Sequence, residues 1–131
     1  MATLAQIRSA LKTQLATISG LNAYVSRPAT IVPPAAFPMP IRGSYNETLG
    51  GAPMYRFEIM VIVNSALVEE AQAALDLYLD RSGSKSIYAN LHSQTLGGLA
   101  LVKVGDWHDY DAYAFDTPNY LGARIDIEVY H

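Results

Sequence analysis

Cysteine is absent from the 131 residues, which excludes disulfides, thiolate nucleophiles and cysteine-ligated zinc. Charge is scarce too. Asp, Glu, Lys and Arg make up 16% of the chain, against about a quarter in an average domain. Lys and Arg form no run and the net charge is −3, so no face for gripping nucleic-acid phosphates is indicated. Uninterrupted apolar stretches fall short of the roughly 18 residues a membrane-spanning helix needs. The opening MATLAQIRSALKT has helical periodicity instead of an apolar block, so it is not read as a signal peptide. The expected setting is a cytoplasm, or a particle assembled there, and the sequon Asn46-Glu47-Thr48 has no meaning without secretion. Local catalytic signatures are missing as well: no G-x-S-x-G, no G-x-G-x-x-G after a strand, no HExxH.

Half the residues are hydrophobic. A chain of this length reads as one domain, residues 1–131, with a proper core. Its low charge leaves little polar material for the outside, which favours burial against other subunits and an oligomer.

The first helix is well marked. Thr3 and Gln6 make a capping-box pair. Leu4, Ile7, Leu11, Leu15 and Ile18 fall on one face, and Gly20 is placed to end the helix. Five prolines then crowd the segment Arg27–Pro40: Pro28, Pro33, Pro34, Pro38 and Pro40. That density excludes a helix or a central strand. Ile31, Val32, Phe37 and Met39 make the segment too apolar for a polar linker. Residues 26–40 therefore read as an extended arm, docked on its own domain, on a neighbour, or on both.

Two strands follow, Ile41–Asn46 and Met54–Val63, joined by a turn at 48–53. The second is apolar on both faces towards its end, which suits a central position. Asn64 or Ser65 caps a second helix with the stripe Leu67, Ala71, Ala74, Leu75, Tyr78 and Leu79. Glu69 and Glu70 near its start are dipole-favourable surface charges. Gly83 stops this helix, and Ser84 or Ser86 starts a short third one holding Ile87, Tyr88 and Leu91. An anion-binding nest with Lys85 lacks the glycines of a phosphate loop. Leu96-Gly97-Gly98 makes a turn before the strand Leu99–Val104. A weak strand at Tyr110–Phe115, a turn at Pro118-Asn119 and a cleanly alternating strand from Ala123 to Val129 complete the chain. The expected class is α+β: an antiparallel or mixed sheet with the N-terminal helix and the broken helix pair on one face, plus the proline-rich arm.

The polar run DWHDYD, Asp106–Asp111, is the best local candidate for metal chemistry. An extended strand would put Asp109 and Asp111 on one side and Asp106 and His108 on the other, which divides the ligands. A solvated loop with aromatic anchors is the expectation, with no metal and no cofactor. The nine tyrosines suit protein contacts.

The ordered features resemble the tail terminator proteins of long-tailed bacteriophages, particularly those of actinobacteria. The features are the helix ending in Gly20-Leu21, the arm Pro33-Pro34-Ala35-Ala36-Phe37, the strand Tyr55-Arg56-Phe57-Glu58-Ile59, Leu75 with Tyr78-Leu79, Ser82-Gly83-Ser84-Lys85-Ser86-Ile87, Leu96-Gly97-Gly98, and Tyr120-Leu121-Gly122-Ala123. The resemblance spans nearly the whole chain. It implies a non-enzymatic structural protein of the virion, assembled in the host cytoplasm as a homo-oligomeric ring of six. Such a ring caps the head-proximal end of the tail tube. Its partners are the major tail tube protein and the head–tail connector, and DNA passes through its channel without specific binding. A neck subunit of the same region is the alternative, and a small ligand-binding or enzymatic domain a more distant one. The expected contact residues are Ile31, Val32, Phe37, Met39, Tyr120 and Tyr130, and Phe37→Asp is expected to block assembly without unfolding the monomer.

Overall fold

Thr3 starts the first helix as its neighbours predict. Its hydroxyl accepts from the Gln6 N–H at 3.1 Å and the Gln6 side chain accepts from the Thr3 N–H at 2.9 Å. The structure, a computed structural model, describes residues 3–44, 54–65, 69–98, 100–114 and 119–130. Helix α1 covers Leu4–Leu15. It stops before Gly20, because the next amides turn inward by three residues: Thr17 N–H to Gln14 O and Ile18 N–H to Leu15 O. Gly20, at φ 82°, serves the turn after that.

The strands are β1 (Asn22–Ala23), β2 (Ala35–Ser44), β3 (Met54–Ser65), β4 (Leu101–Ala114) and β5 (Asn119–Tyr130). They form one sheet in the order β1-β2-β3-β5-β4, parallel at β1–β2 and antiparallel elsewhere. Helices α2 (Glu69–Leu79) and α3 (Ile87–Leu91) connect β3 to β4. The class is α+β with a mixed sheet. Ile7, Leu11 and Leu15 of α1, Leu75 and Tyr78 of α2, and Ile87 and Leu91 of α3 share one buried cluster with the odd-numbered residues of β3 and β5. All three helices thus lie on one face of the sheet.

The other face carries a smaller cluster. Phe37, Met60 and Ile62 are fully buried there, with Tyr24, Ile31, Met39, Tyr113 and Tyr120 packed around them. This explains why β3 is apolar on both faces: it contributes fully buried side chains to both cores.

Two expectations change. The strand expected from Ile41 already begins at Ala35, inside the proline-rich segment. The prolines are compatible because of their register. Asn22 N–H donates to Pro34 O and Tyr24 N–H to Ala36 O, so even-numbered backbone groups of β2 point away from β3. Pro38 and Pro40 share that direction, and their missing N–H groups fall on an open edge. The second change concerns DWHDYD. It is neither a loop nor a break between two strands, because β4 runs unbroken through it. Register shifts at Val104/Trp107 and His108/Asp111 each insert one extra residue against β5. Asn64 and Ser65 belong to β3 and do not directly precede the described start of α2. Leu67, Leu99, Phe115, Pro118 and the turn at 48–53 lie outside the described residues.

The helix break is built on Ser86. Gly83 takes φ 108°, and Ser86 caps α3 by accepting from Ala89 N–H at 3.0 Å. The same hydroxyl donates to the Asp80 carbonyl beyond the end of α2. Ser86 is fully buried, the one polar residue so placed among those described. Its single oxygen satisfies groups of both helices. Ser86→Ala is therefore expected to cost about 1–2 kcal/mol, from the lost cap and the stranded carbonyl. Ser84→Ala, at an exposed position, should stay within about 0.5 kcal/mol. Urea unfolding midpoints with unchanged m-values would check both.

Candidate functional site

The two bulges of β4 decide which side chains reach the outer sheet face. The first keeps Trp107 opposite Ile125, and sets His108 beside Arg124. The second places Asp109 at φ 55° and lets Tyr113 rejoin opposite Tyr120. Glu58 of β3 lies directly across from Asp126 of β5. Three neighbouring strands thereby assemble a cluster that no local sequence motif contains.

His108 is its centre. Its Nε2 lies 2.8 Å from Asp126 Oδ1 and 3.0 Å from Glu58 Oε2, and its Nδ1 lies 3.2 Å from Asp109 Oδ2. Both ring nitrogens face carboxylate oxygens, so the doubly protonated imidazolium satisfies every contact. The hydrogen bond to Asp126 raises the His108 pKa above the ordinary value. Burial opposes the rise, while the charge of Asp126 and the bond and charge of Asp109 add to it. Arg124 completes the group, with Nη1 3.4 Å from Glu58 Oε1 and its guanidinium 5.8 Å above the Tyr113 ring. Glu58 is the most enclosed carboxylate, at 13% exposure, and His108 stands at 37%.

Of the acids in DWHDYD, only Asp109 meets His108. Asp111 turns back to the Ala112 N–H, and Asp106 lines a shallow depression with His108 and Asp126. Glu58 and Asp126 were missed in the sequence. Their one signal is Glu58 itself, an acid facing the same way as the buried Met60 and Ile62.

A second recess lies on the helix side, where Tyr78, Arg81, Tyr88 and Trp107 line an open cleft of about 260 Å³. That is below the usual range for a small-molecule pocket, roughly 300–1,000 Å³.

The six expected contact residues do not form one patch. Phe37 is fully buried in the outer-face cluster, and Ile31, Met39 and Tyr120 pack around it. Val32 is 54% exposed. Tyr130 is half-buried, its hydroxyl on Glu128. Because Phe37 is interior, Phe37→Asp would bury a carboxylate and unfold the monomer, so it does not isolate assembly.

The charged cluster makes stability depend on pH. The folded-state pKa of His108 is raised, so its contribution is complete below the ordinary histidine value of about 6.5. That contribution is lost as pH rises through the elevated folded value. Melting curves across this window should show the melting temperature of the native chain falling relative to His108→Gln. Parallel pH profiles for the two proteins would contradict the assignment.

Comparison with known proteins finds no family model that matches the sequence and no matching curated protein, so the reading of these surfaces rests on the residues and their geometry.

Proposed function

We propose that this protein is a structural component of a phage virion, forming a ring that caps the head-proximal end of the tail tube. The ring ends tube polymerisation and offers the head connector a surface. The observation that carries the reading is the distribution of exposed apolar side chains. Ile41 of β2 is 56% exposed, and Val32 just before β2 is 54% exposed. On β4, at the opposite edge of the sheet, Leu101 is 47% and Trp107 52% exposed. Two different apolar edges on one chain suit a head-to-tail contact, which closes into a ring when the rotation allows.

The ordered sequence features and the low charge support the same reading. A ring that passes DNA works best when it does not hold phosphates, and the net negative charge agrees with that. Its action is adhesion: one rim matches the last ring of the tube, and the other offers no copy of the tube's growing surface. No bond is made or broken, and no cofactor is used.

Sedimentation at several concentrations, alone and with tube subunits, tests this. The native chain should form a discrete closed species. Ile41→Asp and Trp107→Asp should each remain monomeric with unfolding energies within about 0.5 kcal/mol of the native chain, as exposed substitutions usually do. Mixing the two variants should yield a dimer and stop there, because one intact edge of each kind remains. A native chain that stays monomeric at every concentration, with and without tube subunits, would sink the proposal.

A further inference from the structure

We propose that Glu58, His108 and Asp126 form a site for a divalent transition metal, with zinc the best-suited ion. The inference is independent of the virion reading. Each residue offers one donor atom, and the three donors lie within 4.8 Å of one another. In a tetrahedral shell with bonds of about 2.0 Å, neighbouring donors stand roughly 3.3 Å apart. The His108 nitrogen is 2.8 and 3.0 Å from the two carboxylate oxygens, so these two separations open by a few tenths of an ångström on ligation. One imidazole nitrogen with two carboxylate oxygens suits zinc, cobalt or nickel, whereas magnesium and calcium prefer all-oxygen shells. Solvent reaches the site through the shallow depression lined by Asp106, His108 and Asp126, which leaves a place for water as a fourth ligand.

The surroundings hold the ligands in ligating positions. Asp109 engages the Nδ1 side of His108, leaving Nε2 for the metal. Arg124 engages Oε1 of Glu58, leaving Oε2. Carboxylate–histidine and guanidinium–carboxylate contacts of this kind orient ligands in metal sites. The charge also fits. The cluster sets the three carboxylates Glu58, Asp109 and Asp126 against one guanidinium, Arg124, and a divalent ion in place of the imidazole proton cancels the surplus of two negative charges. The ion would join β3, β5 and β4 across the outer face, opposite the face on which α1, α2 and α3 pack.

Titration calorimetry of the full chain with zinc chloride, and visible spectra of a cobalt(II)-loaded sample, test the site. Saturable one-to-one binding is expected, with tetrahedral cobalt bands and a higher melting temperature in the presence of zinc. His108→Ala and the near-isosteric Asp126→Asn should each weaken zinc at least tenfold and remove the bands. Asp109→Asn should weaken it about tenfold while keeping them, as befits a positioning residue. Magnesium and calcium should give no saturable heat. Absence of saturable zinc binding by the native chain, or undiminished binding by folded His108→Ala and Asp126→Asn, would overturn the proposal.

Discussion

The pairing of β3 with β5 is the constraint on which the rest of the structure depends. It runs from Met54 opposite Tyr130 to Ser65 opposite Tyr120 and fixes which side chains face the helices. A slip of one residue would exchange Phe57, Ile59 and Val61 for Glu58, Met60 and Ile62 against α1 and α2. It would also separate Glu58 from Asp126. The core and the charged cluster are therefore two results of one register, set by the apolar demand of the helix side.

Much of this was legible in the residues. Capping at Thr3, the two-faced run of β3, the alternation of β5 and the stop-and-restart at Gly83 and Ser86 each have a local cause, and local causes leave local patterns. Two features escaped, each for its own reason. Strand β2 hides its first half behind prolines, which argue against a central strand but are harmless where the missing N–H points outward. Strand β4 hides its continuity because two bulges each shift the two-residue period by one. The cluster at His108 was illegible for a deeper reason: its ligand-type residues are 18 and 50 positions or more apart and meet only through sheet register.

The two faces of the sheet differ in how they are closed. The helix side is a continuous apolar layer. On the outer side, Phe37, Met60 and Ile62 are covered by tyrosines and by the segment that precedes β2. Tyr113 lies close over Gly122, where an added Cβ would sit 3.0 Å from its ring and 2.8 Å from the Val61 carbonyl. The glycine lets an aromatic ring seal the sheet at that point, next to the guanidinium of Arg124. Self-packing thus accounts for most of the apolar content of the proline-rich segment, leaving Val32 as its outward-facing remainder, with Ile41 exposed just beyond it.

The prolines of β2 also limit how the sheet can be extended. At Pro38 and Pro40 the free edge presents carbonyl oxygens but no amide hydrogens. Two copies meeting through this edge by a two-fold axis would oppose acceptor to acceptor and leave both wanting donors. An incoming strand must instead bring amides of its own from a chemically different edge. The chain is thereby biased against symmetric pairing through β2 and towards a directional, polar seam, with one lip that only receives.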